Sequence, residues 1–276
     1  MSDHQLATAD RTPISPERIA LQLYTLRAAL SSDFLGTLRQ VAAIGYRAVE
    51  FAGFGGLPIS EVRATLDEIG LRAMGAHLPL AAFEERLEAA LDELAHLGCD
   101  YVVIPILPEE RRRTAAELQR TAADLNRYGA ACQAAGMTFA YHNHAMEFAP
   151  LPGDDGRTMY DILLAETDPT LVMFELDAYW AIDGGVDPMA LLSQLSGRVP
   201  LLHVKDLAPE GTPVTPGGKP PVDAPPGDGT LPWPNLIQAA AAAGSRWYIV
   251  EQDFPKDPLA DAERGLRYLE SQAADA

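Results

Sequence analysis

MTFAYHNHAMEF, residues Met137–Phe148, is the stretch whose reading decides the fold. It starts as an apolar strand and finishes in His142, Asn143, His144 and Glu147. Three later stretches finish the same way: Leu171–Trp180 (LVMFELDAYW), Val199–Asp206 (VPLLHVKD) and Trp247–Asp253 (WYIVEQD). An unpartnered polar group inside a protein costs roughly 2–7 kcal/mol, and an isolated charge costs far more. Four apolar runs that all end in ionisable groups therefore imply that the ends meet around a shared partner. A divalent metal at the mouth of a barrel is the simplest partner of that kind.

Working outward, a repeated grammar appears. An Ala- and Leu-rich helical segment ends at a glycine, and an apolar strand follows within a few residues. This happens at Gly45, Gly70, Gly98, Gly136, Gly197 and Gly244. Glycine is the natural helix stop because it enters the left-handed conformation without a Cβ penalty. The strands fall near Ile19–Tyr24, Ala48–Phe51, Arg72–His77, Tyr101–Ile106, Thr138–Asn143, Leu171–Asp177, Pro200–Lys205 and Trp247–Glu251. Helical spacing fills the intervals, as in Phe34–Ile44, Ile59–Ile69, Glu84–Leu97 and Ala115–Ala135. The pattern predicts an α/β fold, a single parallel eight-stranded (β/α)8 TIM barrel over residues 19–270. An open doubly wound sheet is the rival, but LQLYTLRAAL after the first strand start holds no glycine-rich phosphate turn. Residues 1–18 read as a flexible tail and 271–276 as a short C-terminal one. The Pro- and Gly-dense stretch 209–234 reads as a lid or rim over the mouth, because it follows the seventh strand and cannot be a helix or central strand.

Composition narrows the function. The chain has 276 residues, 47% of them hydrophobic, and a formal net charge of −18. Nucleic-acid binding draws on Lys and Arg facing phosphates, and this charge gives no global field for it. Two cysteines, Cys99 and Cys132, make no disulfide framework and suit a reducing, cytoplasmic setting. The N-terminal residues lack the apolar core of a signal peptide, and no stretch is long and apolar enough for a membrane span. No Walker or dinucleotide glycine fingerprint and no G-x-S-x-G elbow is present.

In a parallel barrel the carboxyl ends of the strands converge on one face. His142 and His144 are two residues apart and share a face of an extended strand, as do Glu175 with Asp177 and His203 with Lys205. Glu251 ends the eighth strand, with Asp253 two further on. A lone strand histidine is usually a satisfied core residue, and a lone Asp usually caps a helix. The ordered set on four consecutive strands instead points to a cation held by His142 or His144, Asp177, His203 and Glu251. Carboxylate plus imidazole without thiolate suits Mn, Mg or Co, and admits Zn outside a structural role. Glu50, His77 and Gln22 on the early strands point to the same mouth as candidate substrate contacts, with Tyr24 beside Gln22. Trp180 is a candidate sugar-stacking platform.

LQLYTLR (21–27), AIGYRAVEFAG (43–53), YHNHAMEF (141–148), ELDAYW (175–180), HVKD (203–206) and IVEQD (249–253) together resemble the sugar phosphate isomerase/epimerase family, with its xylose isomerase-like TIM barrel. The resemblance implies a divalent metal on Asp177, His203 and Glu251, with His142, or His144 as the competing choice, standing where the epimerases carry a fifth-strand glutamate. In those epimerases the fifth- and eighth-strand glutamates form the acid/base pair. Lacking the first, this chain looks closest to the inosose dehydratase and 3-keto-glycoside branch. The implied chemistry is a metal-dependent sugar isomerase or epimerase that abstracts a proton next to a carbonyl through an enediolate. Glu251, His144 and Glu147 are the base candidates, and Lys205 stabilises an oxyanion or protonates a leaving group. Elimination from an inosose or 3-keto-glycoside on the same site is the alternative, and a non-catalytic sugar-binding barrel the second. The partner expected is a small carbohydrate, with no nucleic acid and no membrane; a homo-oligomer is allowed. Few Lys or Arg cluster near the mouth, so a neutral sugar derivative is at least as natural a ligand as a phosphate ester.

Overall fold

Helix-stopping glycines set the rhythm of the chain. Gly45 (φ 118°) and Gly98 (φ 81°) take the left-handed conformation at their helix ends, and strands begin at Ala48 and Tyr101. The computed structural model describes residues 14–153, 156–209 and 222–274. Its central sheet is a closed parallel barrel of eight strands: Ile19–Gln22, Ala48–Phe51, Arg72–His77, Tyr101–Ile104, Thr138–His142, Val172–Asp177, Leu201–Val204 and Trp247–Val250. The eighth strand pairs back onto the first through Ile19–Tyr248, Ala20–Ile249 and Leu21–Val250, so the open-sheet alternative does not apply. Helices including Phe34–Ile44, Ile59–Ile69, Leu80–Leu97, Ala115–Ala134, Trp233–Ala243 and Pro258–Ala274 surround it.

Two apolar layers hold this arrangement. The larger lies between strands and helices and includes Val49, Phe51, Leu94, Val102, Phe139, Tyr141, Leu202 and Trp233. The smaller fills the barrel with Ala20, Ala48, Ala140, Leu201 and Ile249 beside the bulkier Met74, Tyr101 and Trp247. Small and large side chains together fill the ring, as a packed barrel interior requires. Moving two residues along several of these strands keeps the same face but changes its chemistry. Ala20 gives way to Gln22, Ala48 to Glu50, Ala140 to His142, Leu201 to His203 and Ile249 to Glu251. The apolar plug is thus the floor of an ionisable layer.

Several element ends differ from the sequence expectation. The first strand stops at Gln22 rather than Tyr24, because the Gln22 side chain accepts from the Tyr24 N–H at 3.0 Å and turns Leu23–Leu26 into a 3-10 helix. Of the N-terminal tail expected over 1–18, residues 1–13 lie outside the described residues. The rest is built in: Ile14 is buried in the core, and Pro16–Arg18 forms a 3-10 turn running into the first strand. At the other end the helix Pro258–Ala274 takes in residues 271–274, where a tail was expected. Residues 210–221 of the Pro/Gly-rich stretch lie outside the described residues. After it, Asp223–Ala224 pairs antiparallel with Asp206–Leu207, and a helix starts at Trp233.

Helix Ala115–Ala134 carries a glycine, Gly129, packed against the main chain of Leu171, just before the sixth strand. A Cβ there would collide with the carbonyl oxygen and carbon of Leu171. Helix propensity alone favours Gly→Ala by about 1 kcal/mol, but a backbone overlap costs about 1–3 kcal/mol. The collision should win. Gly129→Ala is expected to lower the unfolding free energy by about 1–2 kcal/mol in a denaturant titration, and a gain in stability would show that the helix can shift away from Leu171.

Candidate metal centre and active site

The ionisable layer is organised around His203, whose side chain is fully buried. Its Nδ1 lies 3.0 Å from Glu251 Oε2. Its Nε2 lies 3.0 Å from Glu50 Oε2 and 3.2 Å from Glu175 Oε2. Glu175 Oε2 also meets His77 Nε2 at 2.7 Å and stands 3.1 Å from His142 Nδ1. Gln22 Nε2 donates to Glu50 Oε2 at 2.8 Å. On the other flank, Lys205 Nζ stands 3.0 Å from Asp177 Oδ2, 2.9 Å from Glu251 Oε2 and 2.7 Å from Asp253 Oδ2. Asn143 and Asp177 lock neighbouring strand ends together: the Asp177 N–H donates to Asn143 Oδ1 at 3.0 Å, and Asn143 Nδ2 donates to the Asp177 carbonyl at 3.2 Å.

These contacts set the protonation states. Burial would pull His77 down, but Glu50 and Glu175 reverse this and push it up to about 10. Burial would likewise lower His203, and Glu175 and Glu251 hold it well above the usual imidazole range. His142 goes the other way: burial takes it down to about 4 in spite of Glu175. His144 is held low, also by burial and then by His142 and Lys205. Burial would raise Glu251, yet Lys205 and His203 keep it well below the carboxylate range. Asp177 is pushed up to about 6 by burial, against the pull of Lys205 and His203.

Two sets of side chains come close enough to hold a cation, and they share His203. One is His77, His142, Glu175 and His203; the other is Asp177, His203 and Glu251. The donors fit a divalent ion. His142 is neutral, as a ligand imidazole must be, and its buried Nδ1 is aligned with no hydrogen-bond partner. Asp177 Oδ2 and Glu175 Oε1 are buried without an aligned partner as well. His203 with one nitrogen on Glu251 and the other on Glu50 has the orienting carboxylate that ligand histidines usually carry. Five carboxylates, Glu50, Glu175, Asp177, Glu251 and Asp253, are met by Lys205 and the protonated His77 and His203, so the layer is short of positive charge.

The mouth above this layer is a cleft of about 390 Å³ lined by Tyr24, His77, Ile106, His142, His144 and Glu251, with Asp253 at its edge. The structure brings together His142, His144, Asp177, His203, Lys205 and Glu251. It places the other candidates differently. His77 lines the cleft. Glu50 and Gln22, read as substrate contacts, are fully buried beneath it and serve to orient His203. Glu147, read as a base, is turned away from the mouth. It accepts from Tyr141 Oη and from the His144 N–H, each at 2.8 Å, and Tyr141 faces the outer core. Trp180 stands behind His144 (ring centroids 5.5 Å) and under Lys205 Nζ (5.4 Å), rather than as an open platform. Glu175 was visible in the sequence only as the residue sharing a face with Asp177, and it proves to touch three histidines. Asp253 could be taken for a loop charge, and it is a partner of Lys205.

The loop after the seventh strand is stitched down beside this site. Asp206, buried next to Lys205, accepts from the N–H groups of Leu207, Gly227, Gly229 and Leu231. Asp223 accepts from the N–H groups of Asp253 and Phe254. The described part of the Pro/Gly-rich stretch thus packs against the segment that carries Asp253.

A closed barrel with a carboxylate–imidazole cluster at the carboxyl ends of its strands defines a metal-capable TIM-barrel site. The chain belongs to the xylose isomerase-like TIM barrel family, whose model matches residues 38–272. An inosose dehydratase from Geobacillus kaustophilus (strain HTA426) is 28% identical over 192 residues, which span 62% of this chain and 61% of that protein. A sugar phosphate isomerase/epimerase from Parabacteroides distasonis ATCC 8503 superposes with a TM-score of 0.77 at 27% identity, covering 95% of each chain. An L-ribulose 3-epimerase superposes with a TM-score of 0.67 at 14% identity, covering 94% of this chain and 95% of that one, a likeness of fold alone. The chain is therefore a member of an enzyme family. Among the described residues no helix is long and apolar enough to cross a membrane.

Two outcomes test the centre. Asp177 takes a proton below about 6, and His203 must lose one to bind a cation. Mn²⁺ affinity, measured by calorimetry, should therefore weaken by roughly ten-fold or more per unit as pH falls from about 7 to about 5; a flat profile would remove Asp177 and His203 from the ligand set. Lys205→Met strands three carboxylates, and should cost about 3–5 kcal/mol in unfolding measured with chelator present. Added Mn²⁺ should raise the Tm of that variant more than that of the parent.

Proposed function

We propose that the protein is a divalent-metal-dependent enzyme that removes the proton beside a carbonyl in a small carbohydrate derivative, as an isomerase or epimerase. The observation that carries this reading is that two cation-capable sets, His77–His142–Glu175–His203 and Asp177–His203–Glu251, share His203 beside Lys205 beneath one cleft. His142, Asp177, His203 and Glu251 would hold the metal, with Mn, Mg or Co best suited to these donors. Bound there, the ion would act as a Lewis acid toward a substrate carbonyl.

The chain's own groups supply the rest. His144 lines the cleft and is neutral, so its imidazole can accept the proton from the substrate C–H. Lys205 is held protonated by Asp177, Glu251 and Asp253 despite its burial. Its Nζ is therefore a fixed positive charge for the oxyanion of an enediolate, and a proton donor to a leaving oxygen. Glu251, kept ionised by Lys205 and His203, is the second group able to carry a proton across the site. Return of the proton to the neighbouring carbon is isomerisation, and return to the opposite face is epimerisation. Glu147 is engaged by Tyr141 and has no part in these steps.

One observation favours a second reading. The fifth strand offers an imidazole, His142, where a symmetric pair of carboxylate bases would need a glutamate, and the matching curated relative is an inosose dehydratase. The first step is unchanged, and loss of a β-oxygen protonated by Lys205 completes an elimination. A non-catalytic sugar-binding barrel is the remaining alternative. Both buried cysteines are unpaired, which supports a cytoplasmic setting.

NMR in deuterated water with Mn²⁺ and a panel of ketoses, inososes and 3-keto-glycosides separates these readings. Deuterium entering one carbon without loss of oxygen supports the isomerase or epimerase, and formation of an enone supports the lyase. His144→Ala should slow exchange by about 10²–10⁴-fold. No exchange with any of the panel would leave a binding barrel as the better account.

A further inference from the structure

We propose that the cleft has a second compartment, beyond Tyr24, that receives a flat, uncharged substituent carried by the sugar, so that the substrate is a glycoside-type derivative rather than a free sugar or a sugar phosphate. This rests on reading the mouth as a carbohydrate site and adds where the rest of the ligand lies.

The second compartment has a volume of about 400 Å³ and joins the first through Tyr24 and Ala52, which line both. Its walls combine the side chains of Leu23, Leu30 and Phe34 with Arg27 and Ser31, opposite the Gly53–Gly55 turn. That turn has to be glycine at its contact point. Gly55 has φ +63°, and a Cβ on it would sit 2.6 Å from the Phe34 ring. The main chain can therefore come down onto Phe34 and leave the space above it open. Each compartment by itself is within the range of about 300–1,000 Å³ usual for a whole small-molecule site. A single sugar ring seated over His142 and Glu251 leaves the second one free.

Its chemistry is that of a stacking site. The Tyr24 ring is 42% exposed, although it stands beside the buried core of the first strand. Arg27 lies over the ring at 4.3 Å from its centroid and braces it. The same guanidinium donates to the Tyr24 carbonyl at 3.1 Å and to the Asp253 carbonyl at 2.6 Å. Arg27 is thus a strut between the loops after the first and eighth strands. No Lys or Arg is among the described residues lining the first compartment, whereas Glu251 and Asp253 are. A phosphate in the first compartment would face those carboxylates, and in the second it would meet Arg27, whose guanidinium is already bonded to two carbonyls. An aromatic or similarly flat group would find a ring of matching shape and gain stacking and buried carbon area.

The test measures binding, so that it stays independent of turnover. With the Mn²⁺-saturated protein, calorimetry compares methyl β-D-glucopyranoside, 4-nitrophenyl β-D-glucopyranoside and glucose 6-phosphate. The nitrophenyl glycoside should bind about ten-fold or more tighter than the methyl glycoside. Ser31→Trp places bulk in the compartment from an exposed position, and Tyr24→Ala removes the ring; each should bring the two affinities close to equality. Equal affinities in the parent, no binding of either glycoside, a preference that survives both substitutions, or tighter binding of the phosphate would each overturn the proposal. Deuterium exchange without the nitrophenyl preference would sink the second compartment alone. The preference without exchange would sink the proposed reaction alone.

Discussion

The shortage of positive charge in the barrel is the constraint on which the rest turns. Glu50, Glu175, Asp177 and Glu251 are all buried, and only Lys205 and two protonated histidines, His77 and His203, stand against them. Buried charges of one sign do not persist without partners. The layer is stable because each cation is shared: His203 serves Glu251 on one nitrogen and Glu50 with Glu175 on the other, and Lys205 serves three carboxylates. Sharing also means that no side chain can be altered alone. Every substitution here changes the charge seen by at least two strands.

That constraint explains the division between floor and mouth. An interior of Ala20, Ala48, Ala140, Leu201 and Ile249 is dry and tightly filled, so it gives no water to the carboxylates one step above it. Their solvation comes from Gln22, His77, His203 and Lys205 and from whatever occupies the cleft. The same geometry separates the histidines. His77 and His203 each sit against at least two carboxylates and are charged, whereas His142 meets Glu175 alone, and burial keeps it and His144 neutral. Neutral imidazole is the form that binds metal or accepts a proton. The two roles therefore fall to the fifth strand and the turn after it.

Much of this was legible in the sequence, for local reasons. Helix-stopping glycines are a property of one residue, and they located the strands, since a left-handed turn needs glycine wherever it falls. Polar groups at strand ends are equally local, and they pointed to His142, Asp177, His203 and Glu251. What sequence could not resolve was direction. Glu147 follows His144 by three residues and could have faced the mouth, but the 3-10 turn Ala145–Phe148 sends it back to Tyr141. Glu50 and Gln22 end strands as His142 does, yet they lie lower in the barrel and meet His203 instead of the cleft. Glu175 was hidden by its neighbour, since two acids on one strand face look like one site until the three histidines around the first are seen. Depth along a barrel axis depends on register between strands, and no single strand encodes it.

Asp206 shows the same economy at the rim. It follows Lys205 directly, and an ionised carboxylate there could compete with Asp177 and Glu251 for the ammonium. Instead its oxygens are taken up by four main-chain N–H groups, three of them from the loop at 227–231. Backbone donors solvate the charge without neutralising it, so the loop is fixed and Lys205 is left to the carboxylates inside the barrel. Asp223 applies the same device from the opposite side, binding the N–H groups of Asp253 and Phe254. The position of Asp253 Oδ2 against Lys205 Nζ is then set by main-chain contacts on both flanks, and the ammonium is held at the base of the cleft by groups that a ligand does not need to displace.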